Sequence, residues 1–392
     1  MRIRRINLEE SKNKEKNKLF KDFKVMFVDN SFTPDDAAKG LLLFLVFETL
    51  VSLLYQSVYF AGATGEAWSF VFNILLDISF IVAVYIVANN RKRNPIAEVK
   101  LNKKVSWLYY VLCLATSVVC IFGFSALTNC FLEVLYSFGY QSVSADIVIP
   151  NVWMYLLYTL TICVIPAFCE EVLFRGLIFT GLKKINNVVG IFGSAFIFMI
   201  MHGGPDQTVH QFILGIILAL SFLLTGTIWV PIVIHFFNNF IAVTYAFVAS
   251  GDTAADAAAS TEVVDIYFMQ YLMYAIISTL VAACLIYLIF KGFSALNKKR
   301  KPEPEISEAE TTENMVRPNT IELVDADNVG KFSMATENNF NENEQDVNTE
   351  LGKSSKNKLT KQGKVILIIC LSWLVIDWVL ALIAGFNIGA GV

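Results

Sequence analysis

Histidine is almost missing from this chain, with three among 392 residues. Charge is thin as well. Asp, Glu, Lys and Arg together make up 17% against 55% hydrophobic residues, too few to cover a soluble globular surface. None of the seven cysteines stands in a CxxC pair and nearly all fall in apolar segments. That argues against a thiolate metal site or a disulfide framework and makes them small apolar packing residues. HExxH, GxSxG, Walker A and dinucleotide-binding glycine patterns are all absent. So is the pair of matching interrupted halves that marks many carriers. The first 37 residues are polar and basic and the first apolar run is too long for a signal-peptide core, so the first span is expected to serve as an uncleaved signal.

What the chain has is long apolar blocks. Nine are of spanning or nearly spanning length, at about 38–60, 67–89, 105–128, 152–178, 187–202, 209–226, 228–249, 266–290 and 365–386. The fifth and sixth are the shortest. The pattern predicts an all-α polytopic transmembrane bundle of about eight core helices plus one C-terminal helix. Its parts are a basic cytoplasmic arm (1–37), N-terminal transmembrane helices (38–151), a core (152–249), an eighth segment (250–291), a disordered acidic cytoplasmic linker (292–364) and the C-terminal helix (365–392). The linker separates the ninth segment from the rest, which suggests a peripheral position for it. The region 9–27 reads equally as an inner-leaflet helix or a solvated arm. Lys and Arg cluster in the N-terminal stretch and in alternate connections, which puts the N-terminus in the cytoplasm and a multi-pass protein in the cell membrane.

Three constellations interrupt the apolar blocks. Glu170 and Glu171 are adjacent inside the fourth segment, with Arg175 behind them. A carboxylate in hydrocarbon costs about 3 kcal/mol on insertion scales, so two side by side require a partner. Glu171 and Arg175 share a helix face and can pair, whereas Glu170 points about 100° away. Pro166 has no N–H to return to the preceding turn and so frees a carbonyl near the pair. His202 closes the fifth segment ahead of Gly203, Gly204 and Pro205. His235 and Asn239 share one face of the seventh segment, where they read as oxyanion donors or, with equal weight, as interhelical hydrogen-bond glue. His210 reads as interfacial. Glu48, Asp77 and Asp377 are further intramembrane acids without a basic neighbour in sequence, and no role is assigned to them.

The order EExxxR (Glu170 to Arg175), FxxxH (Phe198 to His202) and HxxxN (His235 to Asn239) resembles the CPBP family, the type II CAAX prenyl endopeptidases and the bacteriocin-processing or lysostaphin-resistance-like proteins. Phe212 to Gly215 and Thr225 to Pro231 also resemble it, and the likeness covers about residues 152–249. The resemblance implies an intramembrane endopeptidase acting on a membrane-associated protein or peptide. In it Glu170 and His202 would activate water, His235 and Asn239 would form the oxyanion hole, and Glu171 and Arg175 would hold Glu170. No cofactor is expected. Zinc on two histidines and a glutamate is the alternative, disfavoured because Asn239 is a poor zinc ligand. The partners expected are the membrane and a peptide substrate, with no nucleic acid. Two other classes compete: a non-enzymatic peptide-binding or bacteriocin-immunity scaffold, and a proton-coupled carrier using Glu48, Asp77 and Glu170. One mismatch also stands. His202 is expected beyond the membrane midplane and Glu170 nearer the inner side, unless the fifth helix is tilted or inset.

Overall fold

The computed structural model describes residues 32–62, 65–91, 94, 96, 99–101, 105–142, 148–256, 268–299 and 358–389. Most of the basic arm, including all of 9–27, and most of the linker lie outside the described residues. Nine helices run through the described chain, and no strand occurs among those residues. They are α1 (Pro34–Phe60), α2 (Glu66–Asn90), α3 (Trp107–Ser137), α4 (Val152–Leu182), α5 (Val189–Met201), α6 (Thr208–Thr225), α7 (Trp229–Asp256), α8 (Phe268–Lys299) and α9 (Lys361–Gly389).

All but α5 are long and apolar enough to cross a bilayer. α5 extends only about 20 Å at 1.5 Å per residue, short of the ~30 Å hydrocarbon core. It is therefore an inset element rather than a ninth full span. Aromatics expected at interfaces are exposed where they begin helices, as at Trp107 and Trp153. Trp229 instead turns inward and donates its indole N–H to the Leu101 carbonyl at 2.8 Å.

The helix starts are locally encoded. Thr33 caps α1 in a reciprocal box with Asp36, and Pro34 follows at the first helical position. Asp36 also meets Arg91 at the end of α2, with Nε to Oδ1 at 2.8 Å. α1 and α2 then pack along their length, with Phe44 stacked on Phe80. α3 lies against α7, where the Ser117 hydroxyl donates to the Ile234 carbonyl at 2.8 Å.

α4 is not a uniform α-helix. Two π segments, Thr159–Val164 and Val172–Phe179, flank the α-helical turn Ile165–Glu171 that carries the two glutamates. π turns are rare, and they rotate the residues that follow them. α4 and α5 form a hairpin. Its turn is tight: a Cβ on Gly190 would stand 2.9 Å from the Lys183 Cα. α6 returns beside α5 and ends at Gly226 in the left-handed conformation, φ 65°.

α9 sits on the outside of the bundle but is not loosely attached. The Thr360 N–H donates to Asp35 Oδ1 at the start of α1 (3.0 Å). The Trp378 indole N–H donates to the Thr208 hydroxyl (3.0 Å), and the Gly385 carbonyl accepts from the Gln141 N–H (3.0 Å). The outer position agrees with the peripheral place expected from the intervening linker, and three hydrogen bonds, one of them from Thr360 just before the helix, tie α9 to the core.

Candidate active site

The hairpin settles the depth mismatch. Glu170 on α4 and His202 at the end of α5 both lie about 20 Å along their helices from the connecting turn, so the short α5 carries the imidazole to the level of the carboxylate and no farther. Glu170 Oε2 stands 4.0 Å from His202 Nε2. Both side chains keep some exposure, 14% and 20%. They are the open members of an otherwise sealed cluster.

His202 has a defined tautomer. Its Nδ1 lies 2.8 Å from the Phe198 carbonyl one turn back, and a carbonyl can only accept. In the neutral imidazole the proton is therefore on Nδ1 and the Nε2 lone pair faces Glu170. Two acceptors confront each other across the gap, an arrangement that requires a shared proton or a donor between them.

Glu171 faces the other way and is wholly buried. Its Oε1 accepts from Arg175 Nη1 at 2.7 Å and from His235 Nδ1 at 3.0 Å. Arg175, also wholly buried, spends a second nitrogen on the Gly215 carbonyl of α6 at 3.1 Å. Its guanidinium lies over the Phe198 ring, 4.6 Å from the centroid. Gly215 is what makes that carbonyl reachable. A Cβ there would lie 2.9 Å from the Ala195 Cα, so only glycine lets α6 come this close to α5. Charge neutralisation, bonds to both partners and aromatic cover offset part of the desolvation of the buried pair, whose Glu171 Oε2 and Arg175 Nε have no hydrogen-bond partner among the described residues.

Asn239 donates its side-chain N–H to the Ile162 carbonyl at 3.0 Å. Ile162 lies four residues before Pro166, the residue that cannot return an N–H to it, so Asn239 fills the position the proline leaves open. Phe198 touches Arg175, His202 and His235 with one ring. The sequence contained it only as the first letter of FxxxH.

The structure thus brings all six candidates, Glu170, Glu171, Arg175, His202, His235 and Asn239, into one region on three helices. It pairs them differently from the family-based expectation. Glu171 and Arg175 hold His235 and α6, and neither hydrogen-bonds to Glu170. Sequence reading missed Gly215, Ile162 and the pair His210–Asn238, which are 3.2 Å apart. His210 is half-buried and faces α7 rather than an interface with solvent. A polar residue beside the HxxxN motif was the one signal that pointed to Asn238. The other acids divide. Asp77 of α2 is buried and within electrostatic reach of Glu170, whereas Glu48 interacts with Asp377 of α9.

A zinc site needs three protein donors converging on a point. Among the described residues no group of three His, Cys, Asp or Glu side chains converges so. His235 gives its Nδ1 to Glu171 Oε1, which leaves only its Nε2 to offer beside the Glu170–His202 pair.

Fold and site together define a multi-pass helical membrane protein with a carboxylate–imidazole centre enclosed by its helices. Residues 152–241 match the family model of the Rce1-like type II CAAX prenyl endopeptidases. The matched stretch runs from α4 to the first half of α7 and contains all six candidate residues. No curated protein and no solved structure matches the chain.

Proposed function

We propose that this protein is an intramembrane endopeptidase that cuts a membrane-associated protein or peptide with glutamate-activated water and no metal. The observation that carries the reading is the Glu170–His202 pair: two acceptors from different helices, 4.0 Å apart, on side chains that keep some exposure while Glu170 Oε2 itself is shielded. A water donating one hydrogen to each spans about 4.4 Å between acceptors at ordinary bond lengths, close to this gap. Held so, its oxygen lone pair points away from both bases and toward a substrate carbonyl.

Attack forms the C–O bond of a tetrahedral intermediate while the water's proton passes to Glu170. The peptide C–N bond then breaks and that proton goes to the leaving amine. The oxyanion is received by His235 and by the Asn239 N–H not spent on Ile162. His235 donates Nδ1–H to Glu171, so it serves an oxyanion through Nε2 only when it carries both protons. The Glu171 carboxylate stabilises that imidazolium, the role a carboxylate plays behind the imidazole of hydrolytic triads. Arg175 and Glu171 act as positioning residues for His235. The N-terminus lies in the cytoplasm, the membrane is the cell membrane, and the substrate approaches from the bilayer.

Glu170→Gln keeps shape and removes the base. Reconstituted in liposomes with a proteome-derived peptide library, it should cut about 10²–10⁴-fold more slowly than wild type. Equal rates of new-terminus formation, read by mass spectrometry, would reject the reading.

A further inference from the structure

A chain of hydrogen bonds runs from α6 through α7 to α4, and its direction can be derived from one end. The Ile162 carbonyl can only accept, so Asn239 presents Nδ2 to it (3.0 Å). Asn239 Oδ1 must then face Asn238, which presents its own Nδ2 (3.3 Å). Asn238 Oδ1 is left for His210, 3.2 Å from its Nε2. The proton on His210 is therefore on Nε2. Each amide orientation follows from the one before it, and reversing any link sets two acceptors against each other.

We propose that His210 is a positioning residue: through Asn238 it grips the Asn239 carboxamide at its oxygen while Ile162 grips the nitrogen, so that the remaining Asn239 N–H is held toward the reacting carbonyl oxygen. This rests on the oxyanion role proposed for Asn239. Ile162 alone leaves that carboxamide free to swing about a single bond. Asn238 is almost fully buried, 4% exposed, so the relay does not exchange with solvent at its middle link. His210 also lies within electrostatic reach of His202 and His235, at the edge of the centre rather than in a separate place.

Two measurements test this. The first is kinetic, comparing His210→Ala with His210→Gln, whose amide N–H can replace the Nε2–H donor. The Ala variant should lose about five- to tenfold in kcat with KM unchanged, and Gln should recover most of the loss. Unchanged kcat in Ala, or an equal loss in both variants, would overturn the proposal. The second needs no activity. With three histidines in the chain, ¹⁵N-histidine NMR above neutral pH can be assigned by substitution. His210 should be the Nε2–H tautomer and shift toward a mixture in Asn238→Ala. An Nδ1–H His210 in wild type would sink the relay whatever the enzyme does. A correct tautomer in a wild type that cuts no peptide would instead sink the peptidase reading and leave the hydrogen-bond relay standing.

Discussion

Glu170 and Glu171 are the same side chain one residue apart, and the helix gives them opposite fates. About 100° of rotation sends Glu171 into a sealed bond with Arg175 and His235 and leaves Glu170 at the open edge against His202. Their substitutions should therefore separate. Glu171→Ala leaves a buried guanidinium without its counter-charge, and removing one partner of a buried pair costs about 3–5 kcal/mol. A clear fall in Tm in detergent is expected, with loss of activity as a consequence. Glu170→Gln should leave Tm within a degree or two, because no other protein group among the described residues hydrogen-bonds to Glu170 Oε2 or His202 Nε2. A Glu170→Gln variant as unstable as Glu171→Ala would contradict this division. The Glu171–Arg175 pair was legible in the sequence, since four residues on a helix fix it. Which glutamate His235 would join was not. That depends on how α4 and α7 are rotated about their axes, and the two π segments that set the rotation of α4 have no sequence signal comparable to a capping box.

At the level of elements, the apolar blocks outlined the helices closely, because hydrocarbon demands long runs and lipid-facing sequence has few other solutions. Length also marked α5 as the weak segment. Its inset depth needed the structure, as did the reason its level matters: only a short α5 delivers His202 opposite Glu170. Close approach was likewise hidden. Gly215 looks like any glycine in a membrane helix, yet it places its carbonyl 3.1 Å from Arg175. Gly215→Ala should shift α6 from α5 by a few tenths of an ångström, and Gly215→Leu by more, stretching the Arg175 bond. Thermal stability and cleavage rate should both fall in the order Gly, Ala, Leu. Equal behaviour of the Ala and Leu variants would mean that contact with Ala195 is not what holds the helices together.

For the whole molecule, α9 is the element whose ties to the bundle the sequence concealed. Its face toward the bundle carries no long apolar stripe distinct from its lipid face, and its ties are single polar groups scattered along the chain: Thr360 on Asp35, Trp378 on Thr208, Gly385 on Gln141. The middle tie reaches the centre. The Thr208 hydroxyl that accepts from Trp378 donates to the Gly204 carbonyl at 3.2 Å, and this span of chain joins His202 to His210. α9 thus braces the connection between two of the three imidazoles from a position remote in sequence. Trp378→Phe keeps the ring and deletes the one N–H, a loss of about 1 kcal/mol if that bond stands alone. Cleavage should slow several-fold while Tm changes little, because the ring still packs and the two outer ties remain. Thr208→Val should give the same slowing, and the double variant Trp378→Phe, Thr208→Val should be no slower than either alone, since both break one connection. Fully additive losses would show that Trp378 and Thr208 act on the site separately, and α9 would then be no more than a cover.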